Sequence, residues 1–137
     1  MTSCRSVGNI FVKEMAFAMV LVLSFSVAAK TTTWKGGAGP ADFTTADNWT
    51  DGAPEPGDTV KFTTVSGITG NFDLGDKTLI IENTATVSNR VVFSGTGGII
   101  IRSSSISAPF RQETQNMGSF TGGLRIEKGR FSIIYNG

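Results

Sequence analysis

Short β runs return along this chain at intervals of about 20 residues, and that recurrence limits the fold more than any other feature. Val60-Lys61-Phe62, Leu79-Ile80-Ile81 and Ile99-Ile100-Ile101 form one series, centred at 61, 80 and 100. A second series is centred near 73 (Phe72, Leu74), at 92 (Val91-Val92-Phe93) and at 132 (Phe131-Ser132-Ile133). The first series is next due near 120 but arrives at Leu124-Arg125-Ile126, and a polar insertion over 103–118 accounts for the delay. The runs are β-branched or alternating, and Gly, Asn, Asp and Ser punctuate them with turn chemistry. A recurrence of this length with two or three strands per repeat predicts a parallel β-solenoid, in which each strand stacks on its equivalent one coil later. An antiparallel β-sandwich, with turns every 8 to 12 residues, imitates half a coil, and spacing by itself admits both. Glu127-Lys128-Gly129-Arg130 fits a hairpin turn as well as a solenoid corner.

The N-terminus has a different composition. Arg5 and Lys13 precede the apolar run Met15 to Val27, 13 residues long, and Val27-Ala28-Ala29 offers small side chains to a signal peptidase. A bilayer-spanning helix needs roughly 18 or more apolar residues. Charged start, short apolar middle and small-residue end predict a secretory signal helix over residues 1–29, cleaved after Ala29 or Ala28. An uncleaved anchor is the competing reading, and Met15 is a second possible start. The exported part then runs from residue 30, the size of one domain. It divides into a Trp-containing cap module at 30–58 and solenoid coils at 59–137.

Net charge excludes some partners. The mature part carries ten Lys+Arg against ten Asp+Glu with no basic run, so nothing electrostatic favours nucleic acid or an anionic membrane. Cys4, the single cysteine, leaves with the signal, and no disulfide staples the exported domain. Histidine is absent. Ser-His-Asp and Cys-His nucleophile arrangements and the usual zinc sites are therefore out of reach. No nucleotide-binding glycine motif is present either, Gly95-Thr96-Gly97-Gly98 being a turn before a strand.

Two segments carry a family resemblance. Thr33-Trp34-Lys35-Gly36-Gly37, then Ala46-Asp47-Asn48-Trp49, then Pro56-Gly57-Asp58-Thr59-Val60-Lys61-Phe62 resembles the opening module of large exported bacterial β-helix proteins, autotransporter passengers among them. Phe120-Thr121-Gly122-Gly123 through Gly129-Arg130-Phe131-Ser132-Ile133 is similar to the autotransporter-associated β-strand repeat, with Phe131 where that repeat usually has Leu. The resemblance implies a right-handed parallel β-helix with a capped N-terminal end, and a structural or adhesive role at the bacterial surface. Such passengers are longer and end in a membrane β-barrel. No series of amphipathic ten-residue strands occurs here, so the chain reads as an N-terminal portion or a short relative, and self-secretion does not carry over.

Asp42, Asp47, Asp51, Glu55 and Asp58 are numerous enough for a glycosidase pair, but each sits in loop-like sequence where Asp caps turns. Asp47, Asn48 and Asp51 lack the alternating spacing of a calcium loop. Trp34 and Trp49 serve either as a lid over the open end of the first coil or as platforms for sugar rings. Arg102, Phe110 and Arg111, in or beside the polar insertion, are the candidates for a binding loop. The expectation is a secreted or envelope-attached scaffold that is non-catalytic and needs no cofactor. Its expected partners are cell-surface glycans, envelope components or, end to end, itself. The rivals are a carbohydrate-binding β-sandwich and a polysaccharide-degrading β-helix enzyme.

Overall fold

A computed structural model of the chain describes residues 28–37, 39–113 and 119–134. The signal helix and its cleavage site are expected on residues that lie largely outside this range. Ten strands follow in order: β1 (Thr31–Thr33), β2 (Pro40–Asp42), β3 (Thr59–Phe62), β4 (Ser66–Asp73), β5 (Leu79–Asn83), β6 (Val87–Ser94), β7 (Ile99–Ser103), β8 (Phe110–Gln112), β9 (Leu124–Lys128) and β10 (Phe131–Ile133). One 3₁₀ turn, Ala46–Asn48, interrupts the first coil.

Odd and even strands separate into two sheets of five, ordered β1-β3-β5-β7-β9 and β2-β4-β6-β8-β10. Every strand pair within them is parallel. This is a β-solenoid with coils of about 21 residues. The antiparallel sandwich is excluded for the described residues, whose one antiparallel contact is an isolated bridge between Trp34 and Trp49. Alternation explains the two-sheet form. Each strand sends every second side chain into the space between the sheets, so stacked coils merge these residues into apolar columns. Val60, Ile81 and Ile101 make one such column. Ser66, Val87 and Phe110 make a column of mixed polarity across the core, beside the Phe72–Phe93 pair.

The register departs from the spacing in two respects. Val60 stacks on Ile81 rather than on Leu79, so this coil is two residues longer than the run centres suggest. Both Phe62 and Asn83 then point inward, and a slip of one residue would turn the whole set to solvent. The stretch 103–118 is not one insertion. Ser103 closes β7, and Phe110–Gln112 forms β8 within the second sheet, paired with β6 and β10. Against the preceding coil the five extra residues fall in two places, three between β7 and β8 and two between β8 and β9. The cap module likewise belongs to the solenoid, since β1 and β2 pair with β3 and β4.

Glycines let the coils approach at one corner. A Cβ on Gly97 would lie 1.8 Å from Lys77 O, and one on Gly122 would lie 1.6 Å from Gly97 O. Any side chain there forces backbone apart. Buried polar groups hold another corner: Asn83 Nδ2 donates to Ala108 O at 2.6 Å, and Ser103 Oγ donates to the same oxygen at 2.7 Å. Inside the second sheet Asn89 Nδ2 donates to Gln112 Oε1, and Val91 N–H donates to Asn89 Oδ1 at 2.9 Å. Such bonds offset the desolvation of amides placed in a core.

Candidate functional site

The two tryptophans come together at the N-terminal end. Their rings meet edge-on with centroids 5.0 Å apart, and Trp49 also packs against Phe43 at 5.2 Å and Phe62 at 5.6 Å. Both indoles are buried. A sugar platform needs an open ring face, and neither residue offers one. Their position is that of a lid. The segment that carries Trp49 lies along the outer edge of β1, where Thr50 N–H donates to Thr33 O at 2.9 Å and Thr33 N–H donates to Thr50 Oγ1 at 3.0 Å. Edge-to-face contacts of this kind contribute about 0.5–1.5 kcal/mol each beyond area burial.

Two acidic residues of the cap, Asp58 and Asp42, hold backbone. Asp58 is buried, and its carboxylate accepts from Lys30 N–H and from Glu55 N–H, each at 2.8 Å. Asp42 accepts from the Thr44 hydroxyl and from Thr44 N–H, both at 2.7 Å, which keep its carboxyl below the usual carboxylate range. Asn48 directs its amide to Asp42 O at 2.8 Å. Among the described residues no three His, Cys, Asp or Glu side chains are grouped as metal ligands require.

The three binding-loop candidates are dispersed. Arg102 lies on β7 in the first sheet, while Phe110 and Arg111 lie on β8 in the second. Phe110 is 1 % exposed and stacks on Phe131 at 6.2 Å, so it is core rather than a contact residue. Period-two alternation decides this: Phe110 and Gln112 turn inward and Arg111 outward. The apolar-polar order of Phe110-Arg111-Gln112, 21 residues before Phe131, was a legible strand signal inside a stretch whose polar composition suggests a loop.

Arg102 does sit in a surface feature that the run spacing alone does not single out. Outward positions of the first sheet align Lys61, Glu82 and Arg102 in successive coils. Glu82 lies 3.5 Å from Lys61 and 3.7 Å from Arg102, and Glu127 lies 2.6 Å from Arg102 and 3.1 Å from Arg125. The hydrogen bond from Arg102 holds the Glu127 carboxyl below its ordinary range, and the same bond raises Arg102. Beside this ladder a groove of ≈ 440 Å³ runs past Thr63, Thr84, Ser104 and Lys128. Cations outnumber carboxylates along it, and the hydroxyls repeat once per coil.

No family model, no curated protein and no solved structure matches this chain. Its fold and the geometry of this face are therefore the basis for a functional reading. Among the described residues no helix is long and apolar enough to cross a membrane.

Proposed function

We propose that this chain is an exported structural or adhesive surface protein, a non-catalytic β-solenoid scaffold of the autotransporter-passenger type. The supporting observation is where its polar chemistry is spent. Asn83, Asn89 and Gln112 bond neighbouring coils inside the core, and Lys61, Glu82, Arg102 and Glu127 bridge coils on the outer face. Parallel stacking makes the body stiff, and a stiff body presents the groove beside Arg102 as a fixed surface for envelope polysaccharide. The signal-like segment over residues 1–29 supplies the route out of the cell, and its composition supports secretion to the envelope or beyond.

The test has two readouts on one preparation. Expressed with its leader in a bacterial host, the protein should leave the cytoplasm and begin at Lys30 or Ala29 on N-terminal sequencing. The mature product should then sediment with an acidic surface polysaccharide in a salt-dependent manner, and the K61E/K128E variant should lose that binding while remaining folded. Cytoplasmic retention with an intact N-terminus defeats the export reading. Release of reducing ends from the polysaccharide instead would turn the argument toward a β-helix enzyme.

A further inference from the structure

The two ends of the solenoid differ. At the N-terminal end the edge of β1 is occupied by the chain itself through Thr50, and Asp51 N–H donates to Thr32 Oγ1 at 3.2 Å. At the other end the inward positions continue, but among the described residues nothing lies over them. Leu124 stacks on Ile99, Ile126 on Ile101 and Ile133 on Gln112. The three are 40 %, 49 % and 74 % exposed, whereas the residues beneath them are buried. Among the described residues the outer edges of β9 and β10 are likewise unpaired, and such an edge is a template for another strand.

The order of side chains on β9 identifies what fits there. Arg125-Ile126-Glu127 is self-complementary when reversed about Ile126, and a bulge after Ile126, which sets Lys128 rather than Glu127 against Arg102, confines the match to these three residues. An antiparallel copy places Ile126 opposite Ile126, and Arg125 opposite Glu127 twice. Backbone geometry agrees. Gly123 C=O accepts from Ile99 N–H at 2.9 Å, so by ladder alternation Leu124 and Ile126 aim their N–H and C=O at the free edge. That is the orientation a hydrogen-bonded antiparallel pair at Ile126 requires. Head-to-tail stacking is disfavoured for the same reason: it needs a free β1 edge, and Thr50 occupies it.

We infer that β9 pairs antiparallel with β9 of a second copy of this chain about a twofold axis at Ile126, closing both cores in an isologous dimer. This inference does not rest on the export and adhesion reading, and its test is read without a glycan or a cell.

Sedimentation of the full chain should show a dimer in reversible equilibrium. Arg125→Glu and Glu127→Arg, each alone, should raise the dissociation constant roughly tenfold through like charges set opposite each other. An equimolar mixture of the two variants should recover association as a heterodimer, because every cross-pair is then opposite in sign. With Cys4→Ser in place, Ile126→Cys should form a 126–126 disulfide under mild oxidation, since facing residues of such a pair lie within disulfide reach. Circular dichroism checks that each variant keeps its strands, and the disulfide keeps the proposal exposed if a charge variant fails to fold. A monomer at all concentrations overturns the dimer, whether its β9 amides exchange freely or are shielded by another part of the same chain. Concentration-dependent polymers, a dimer indifferent to both reversals, or no 126–126 disulfide overturns it as well.

Discussion

The indole N–H of Trp49 donates to Phe43 O at 2.7 Å, while Trp34, which meets that indole edge-on, buries its own N–H without an acceptor among the described residues. The two rings that close the first coil are thus unequal. Replacing Trp49 by Phe removes a buried bond and strands the Phe43 carbonyl, and should cost about 1–3 kcal/mol. Replacing Trp34 by Phe removes a donor that has no partner there, and should cost clearly less. Urea unfolding of both variants decides the order.

The paired glycines of the Phe120-Thr121-Gly122-Gly123 segment should also behave differently. A Cβ at residue 122 runs into Gly97 O, whereas one at residue 123 meets nothing within 4 Å. Gly122→Ala should destabilise by about 2 kcal/mol or more, because the obstacle is backbone, and Gly123→Ala by about 0.5 kcal/mol or less. Thermal melts of the two single variants are sufficient.

Within the core, Gln112 accepts from Asn89 and donates through Nε2 to Val91 O at 3.2 Å. Gln112→Leu leaves the Asn89 amide and that carbonyl short of a partner, at a cost of about 1–3 kcal/mol. A double-mutant cycle with Asn89→Ala should return a coupling of about 0.5–3 kcal/mol, since the two groups share one network. Additive single effects would mean that the ladder between the coils does not hold them together.

Acid should loosen the outer ladder. The Glu127 carboxyl is held below its ordinary range first by the Arg102 hydrogen bond and then by the charges of Arg102 and Arg125. A depressed carboxyl binds its proton more readily in the unfolded chain. Its contribution is therefore complete above the ordinary carboxylate range and disappears as pH falls through the depressed value. Asp42, held down by Thr44, adds in the same direction. Melting temperature should be flat from neutral pH to about pH 5 and decline below it, and Glu127→Gln should remove part of that decline. Both carboxyls are exposed, so the effect should be small and should shrink further in high salt.

Much of the solenoid could be read from the order of residues alone. Ile99-Ile100-Ile101 and Leu79-Ile80-Ile81 are β-branched or aliphatic runs one coil apart, and their spacing carries the repeat directly. The 21-residue register could not be read that way, because Leu79 and Ile81 both face inward and run centres do not reveal which of them stacks on Val60. Packing of Phe62 and Asn83 on one side decides it. Composition misplaced β8: Arg111 and Gln112 are polar, and Gln112 becomes a core residue because Asn89 lies beneath it and accepts its company.

The candidate site divides along the same line. Trp34 and Trp49 stand out in sequence, but fifteen residues of separation say nothing of whether their faces are open. Only their edge-on packing and the Asn48–Gly52 segment lying on β1 determine that they are buried. Lys61, Glu82 and Arg102 were visible as charges, yet their alternation across coils exists only once parallel stacking brings residues about 20 apart within reach of one another. Local order, through periodicity and turn chemistry, determined that this chain would coil in β-strands. Which side chains meet and which polar groups are buried were decided by tertiary structure, because each depends on contacts between residues a full coil apart.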